Sequence, residues 1–149
     1  MGKAARAIVI ENNKLLIMRR LKGGNQYYTL VGGQLKEGES FEAGLAREVF
    51  EETGLEVAES RLVYTEMHPE PYNEQYIYLC TLKQHGPTLR IQEFTDESQL
   101  ANHSMQSNVH TPMWVDVGSF QHLAFRTPRL QEAIQLALKK GFPKNTINL

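Results

Sequence analysis

The stretch 47-REVFEETGL-55 places three glutamates, Glu48, Glu51 and Glu52, within five positions of a segment that otherwise reads as helix. At the helical spacing of about 100° per residue, with Glu48 at zero, Glu52 falls near 40° and Glu51 near -60°, so the carboxylates share an arc of roughly 100°. Leu45 and Val49 lie next to that arc, so the acidic face borders the apolar stripe. Each like-charge pair costs roughly 0.2 to 0.5 kcal/mol, and anions in a last helical turn oppose the macrodipole by about 0.3 to 1 kcal/mol. Arg47 offsets part of this by pairing with Glu51 at i,i+4. A solvated acidic face is the ordinary meaning of such a run. A hard divalent cation is the alternative, because it takes oxygen ligands and makes clustered carboxylates favourable.

Working outward, Ser40 is a good N-cap, Glu42 suits the first turn and Gly54 suits the C-terminal turn, which predicts a helix over Phe41 to Thr53. The preceding 32-GGQLKEGE-39 carries three glycines and reads as a shaped loop, entered from a strand at 27-YYTLV-31. The apolar runs 4-AARAIVI-10 and 15-LLIMRR-20, separated by the polar residues Glu11 to Lys14, predict a hairpin. Further strands are expected at 61–68, 75–82, 88–92 and 113–117. The polar segment 93–111 reads as a long loop. Thr127 and Pro128 open a second helix over 129–140, closed by Gly141 and Pro143, and the tail 144–149 carries no assignment. With no repeat or linker, the economical architecture is one α/β domain over 1–149, with a mixed β-sheet between helices.

Composition narrows the function classes. Hydrophobic residues at 41% and charged residues at 22% are those of a globular protein with a real core. Sixteen Lys and Arg nearly balance seventeen Asp and Glu, so the net charge of -1 supplies no general attraction to nucleic acid or an anionic membrane. The lone Cys80, within 76-YIYLCTL-82, excludes an internal disulfide and reads as an inert strand thiol. No apolar run is long enough for a signal peptide or a membrane span, which gives a cytoplasmic expectation.

Gly33, then Glu39, then Arg47-Glu48-Val49-Phe50-Glu51-Glu52-Thr53-Gly54-Leu55 fits the pattern G-x5-E-x7-R-E-U-x-E-E-x-G-U, with U aliphatic, at all nine fixed positions across 23 residues. The chain therefore resembles the Nudix hydrolases. That resemblance implies a Nudix-type αβα sandwich and an enzyme that cleaves a diphosphate linkage in a nucleotide derivative with Mg²⁺ or Mn²⁺. By position it implies that Glu48, Glu51 and Glu52 bind metal and that the carbonyl of Gly32 is a further ligand. It also makes Arg47 the arginine that orients the acids and Glu39 its ion-pair partner or an outer metal contact. Many relatives carry proline before the glycine pair, where this chain has Val31, so the loop geometry is expected to differ.

Elementary chemistry supports a metal: a diphosphate repels nucleophiles, and bound cations neutralise it and acidify the attacking water. Gly32, Gly33 and Gly38 allow close backbone approach. Glu48 is the first choice for the base within the box, and Glu97, with Glu93 and Asp96, is the loop alternative. Arg19, Arg20 and Lys22 could meet phosphate oxygens, and Tyr27, Tyr28, Tyr72, Tyr76 or Trp114 could stack a base, although aromatics in strands are more often core. His103 and His110 are not diagnostic. The expected partner is a small nucleotide-type substrate, without nucleic acid or membrane, and a homodimer is compatible with the sequence. Two other readings stay open: a nucleotide-sensing module without turnover, and an isomerase on the same scaffold, which would want a reactive cysteine.

Overall fold

The computed structural model describes residues 2–67, 74–83 and 109–149. Its centre is strand β1 (Lys3–Glu11), whose alanines 4, 5 and 7 are fully buried and let neighbouring elements approach closely. β1 turns through Asn12 and Asn13, both with positive φ, into antiparallel β2 (Lys14–Lys22), as expected of the hairpin. β3 (Asn25–Thr29) then pairs with β2, and β4 (Val31–Gln34) returns to pair antiparallel with β1. Two of the expected loop glycines, Gly32 and Gly33, are thus strand residues paired with Arg6 and Ala5. Pairing with β1 holds both in the sheet, while the Gly32 N–H and carbonyl find side-chain partners in Glu52 and Arg6.

After helix α1 (Phe41–Thr53), strands β5 (Val57–Met67) and β6 (Glu74–Leu82) form an antiparallel pair, and β6 runs parallel to β1. That parallel pairing makes the sheet mixed. β7 (Val109–Asp116) pairs along β2 and leads into a 3-10 helix at Val117–His122, where the sequence pattern had suggested strand continuing to 117. Helix α2 (Pro128–Lys140) follows, and the unassigned tail supplies β8 (Ile147–Asn148), which pairs with β5. The strand expected at 88–92 lies outside the described residues.

Alternation along β1 divides the core. Ala5, Ala7 and Val9 pack with Leu45 and Val49 of α1, whereas Ile8 packs with Leu130 and Ile134 of α2. The helices therefore cover opposite faces, which is the αβα arrangement. Burying a Leu or Val side chain is worth about 1.5 to 3 kcal/mol. Leu45 and Val49 together outweigh the like-charge cost on the adjoining acidic face. Cys80 is buried in the α1-side core, and burial pushes its thiol up to about 12, so it is unreactive. No helix among the described residues is long and apolar enough to cross a membrane.

Candidate active site

Helix α1 begins as predicted: Ser40 Oγ accepts from Ala43 N at 3.2 Å, and Gly54 closes the helix with φ 77°. This frame sets the register of the glutamates. Glu52 reaches across to β4, where its Oε1 accepts a 2.7 Å hydrogen bond from the Gly32 N–H. Burial pushes the Glu52 carboxyl up to about 7. The Gly32 N–H and the Arg6 and Arg20 guanidiniums pull against that rise, and Glu48 adds to it. A Cβ on Gly33 would meet the Glu48 carboxylate at 2.8 Å, so the missing side chain is what lets Glu48 lie against the strand. Gly32 is held to glycine by its backbone, with φ 130° and a Cβ position only 2.1 Å from Ala5 O.

Arg47 organises the acids. Its Nε donates to Glu39 Oε2 at 2.6 Å and its Nη2 to Glu39 Oε1 at 3.0 Å, while Nη1 reaches Glu48 Oε1 and Glu51 Oε1, each at 3.1 Å. The same Glu39 Oε1 accepts the Lys36 N–H, and the Arg47 guanidinium, helped by that N–H, holds the Glu39 carboxyl down at about 2. The pairing in turn raises Arg47, which stays charged. Glu51 is the outlier of the three glutamates: its side chain is 52% exposed and turned to Arg47. Among the described residues, no three His, Cys, Asp or Glu side chains converge closely enough to enclose a metal as they stand. Glu48, Glu52 and the Gly32 carbonyl nevertheless form a set of hard oxygen donors, of the kind that suits Mg²⁺ or Mn²⁺.

The Gly32 carbonyl also accepts from Arg6 Nη1 at 3.0 Å, and a carbonyl oxygen retains a second lone pair. Arg6 is the main residue that sequence reasoning missed. It is 3% exposed, donates to Leu30 O at 3.2 Å and to Gln75 Oε1 at 3.1 Å, and so ties β4 to β6 through β1. A cation inside the apolar run 4-AARAIVI-10 was the available signal.

Arg6 also floors a cavity of about 270 Å³ whose lining includes Arg20, Lys22, Tyr27, Thr29 and Arg126. Two of the expected phosphate-binding residues and Tyr27 therefore meet, and Arg126 is an addition. Arg19 does not line the cavity. Among the described residues, Arg20 Nε and the Thr29 hydroxyl are buried without a hydrogen-bond partner, as suits a ligand rich in acceptor oxygens. Burial would raise the Tyr27 phenol, but hydrogen bonding and charge from Arg20 and Arg126 outweigh it and lower the group. His110, also in the lining, is lowered to about 4 by partial burial and by the Arg20 and Arg6 cations, so it is neutral near pH 7. Tyr76 and Trp114 pack on the α1-side core, Tyr76 with its ring 4.4 Å from Phe41, and Tyr28 packs on the α2 side. Tyr72, Glu93, Asp96, Glu97 and His103 lie outside the described residues.

The sequence profile of the NUDIX domain matches residues 1–135. The NAD-capped RNA hydrolase NudC of Edwardsiella ictaluri is 32% identical over 69 residues, which are 46% of this chain and 27% of that relative. The chain thus spans about a quarter of that protein's length. Among solved structures, a NUDIX hydrolase from Nitrosomonas europaea matches with a TM-score of 0.66 at 17% identity, over 95% of this chain and 90% of that one. An ADP-ribose pyrophosphatase from Streptococcus suis matches with a TM-score of 0.61 at 18% identity, over 99% and 96%. Likeness at such identities speaks for the fold, but the profile covers most of the chain, box included, and on that ground the chain belongs to the NUDIX domain family.

Proposed function

We propose that the chain, as one domain, is a Mg²⁺- or Mn²⁺-dependent hydrolase that cleaves a diphosphate linkage in a small nucleotide derivative. One observation carries the reading: Glu52, buried and anchored to Gly32 N at 2.7 Å, lies where it feels both Arg6 and Arg20, and those two cations line the neighbouring cavity. The acidic edge and the cationic pocket are thus adjacent, as a diphosphate spanning metal and arginine requires. The named substrates of the relatives, NAD-capped RNA and ADP-ribose, are nucleotide derivatives. The net charge of -1 favours a small molecule over a long nucleic-acid chain.

In this reading Glu48, Glu52 and the Gly32 carbonyl hold the cation, and Arg47, itself fixed by Glu39, keeps Glu48 and Glu51 in place. Bound metal would neutralise the diphosphate and acidify the attacking water. Arg20, Lys22 and Arg126 grip phosphate oxygens, with Tyr27 bracing the two arginines. Glu48 accepts the water's proton; an acid of the later polar segment, Glu97, is the alternative base. A buried, unreactive Cys80 disfavours an isomerase that would need a catalytic thiol. The protein is expected to work in the cytoplasm.

The test is a product screen over sugar nucleotides, nucleoside triphosphates, dinucleoside polyphosphates and dinucleotide cofactors, each with Mg²⁺ and Mn²⁺. Glu52→Gln is expected to lower turnover roughly a hundredfold or more with the fold intact. Unchanged turnover in that variant would remove the assigned site.

A further inference from the structure

A second cavity, of about 320 Å³, opens at the ends of β5 and β6 and includes Glu66, Gln75, Tyr76 and Leu149 in its lining. Gln75 lines the cationic cavity as well, so the two share a wall. Glu66 is 8% exposed and its Oε1 is buried without a hydrogen-bond partner among the described residues. A buried carboxylate oxygen in that state is costly unless a donor meets it, and among the described residues Arg129 acts on the group by its charge alone. Glu66 and Gln75 are directly opposed across the β5–β6 ladder, which sets their side chains beside each other on one face. Arg6 Nε donates to Gln75 Oε1 at 3.1 Å, which fixes the amide's orientation and leaves its N–H₂ as the group it can offer.

The pair therefore presents a donor next to an acceptor-only carboxylate. A guanine edge presents the complement: O6 accepts, while N1–H and the N2 amine donate side by side to the two oxygens of a carboxylate. Adenine reverses that order at both positions. We propose that Glu66 and Gln75 read the base of the substrate and select guanine nucleotide derivatives, with the phosphates held by Arg20, Lys22 and Arg126 on the other side of Gln75. The assignment rests on the diphosphate reading above and names the substrate class for the same site. Leu149, also in the lining, gives the base an apolar neighbour.

Binding without metal separates this inference from the hydrolysis reading. Dissociation constants are measured for GDP, IDP and ADP, with wild type and Glu66→Gln; IDP differs from GDP only in lacking the N2 amine. Wild type is expected to bind GDP at least about tenfold tighter than IDP or ADP, because the analogues leave a buried acceptor unpaired. In Glu66→Gln the GDP to IDP ratio is expected to fall to within about threefold. Equal binding of all three by wild type overturns the assignment without recourse to any variant, as does an unchanged ratio in a folded Glu66→Gln. A guanine preference in binding with no hydrolysis in Mg²⁺ or Mn²⁺ would overturn the diphosphate reading and leave the base-reading pair standing.

Discussion

The Arg47 guanidinium and the Glu39 carboxylate meet through two hydrogen bonds, at 2.6 and 3.0 Å, and that fork locks helix α1 to the segment before it. The Glu39 carboxyl sits at about 2, below its ordinary value of 4.5, chiefly through Arg47 and then through the Lys36 N–H. A depressed carboxylate contributes stability that is fully present above the unfolded value and is lost as pH falls through the folded one. Glu39→Gln is therefore expected to flatten the acid limb of stability between about pH 4.5 and 2, read from urea midpoints across that range. Arg47→Lys keeps the charge but not the fork, and turnover should drop by roughly 10- to 100-fold as Glu48 loses its brace.

Glu52 has the opposite sign. Its carboxyl is raised from 4.5 to about 7 by burial, so without metal its contribution is full below about pH 4.5 and is lost as pH rises through 7. Each pH unit of such mismatch corresponds to about 1.4 kcal/mol. Glu52→Gln, which can still accept from Gly32 N, should melt higher than wild type at pH 8 in chelator and no higher at pH 4.5. Adding Mg²⁺ at pH 8 should raise the melting temperature of wild type and do far less for the variant. Differential scanning fluorimetry at the two pH values, with and without metal, reads both effects.

The two adjacent glycines should fail in different ways. At Gly33 the obstacle is the far end of the Glu48 side chain, 2.8 Å from a built Cβ, and a side chain can swing aside. Gly33→Ala is expected to keep its melting temperature within a few degrees and to lose turnover about tenfold or more, because the carboxylate that moves is the one the site needs. At Gly32 the obstacle is the Ala5 carbonyl at 2.1 Å, with φ 130°, and backbone cannot yield so cheaply. Gly32→Ala should lose roughly 2 kcal/mol or more of stability, seen as a lower denaturant midpoint before any assay of activity.

Helix α1 was legible in the sequence because its signals are local: Ser40, Gly54 and the period of Leu45 and Val49 all act within a few residues. The same holds for the hairpin at Asn12 and Asn13. β4 was not, because Gly32 and Gly33 are strand residues only through pairing with Arg6 and Ala5, a contact remote in the chain that glycine propensity argues against. β8 depends in the same way on β5, with two residues of pairing and no period to detect. In the candidate site, the spacing of the box brings Arg47, Glu39 and Glu48 into one hydrogen-bonded cluster. Arg126 and Gln75 gave no local signal, since each acquires its role only from the cavity that distant elements close around it.

The last prediction concerns that cavity. Arg126 lies with its Cζ 5.1 Å from the Tyr27 ring centroid and acts with Arg20 to lower the Tyr27 phenol, so the three side chains form one braced unit. What each of them meets on the substrate decides the expected kinetics. A group that grips phosphate equally in ground and transition states changes KM and leaves kcat almost untouched, whereas a group that meets developing charge lowers kcat. Arg126 comes from the segment before α2 and lines the cavity beside Tyr27, where it would hold the substrate. Arg126→Ala is expected to raise KM about tenfold with kcat within about threefold, and Tyr27→Phe, which removes only the hydroxyl between the arginines, to raise it less. Steady-state kinetics on the best substrate of the screen decide it: a fall in kcat of the same size as the fall in kcat/KM would move Arg126 from holding the substrate to stabilising its reaction.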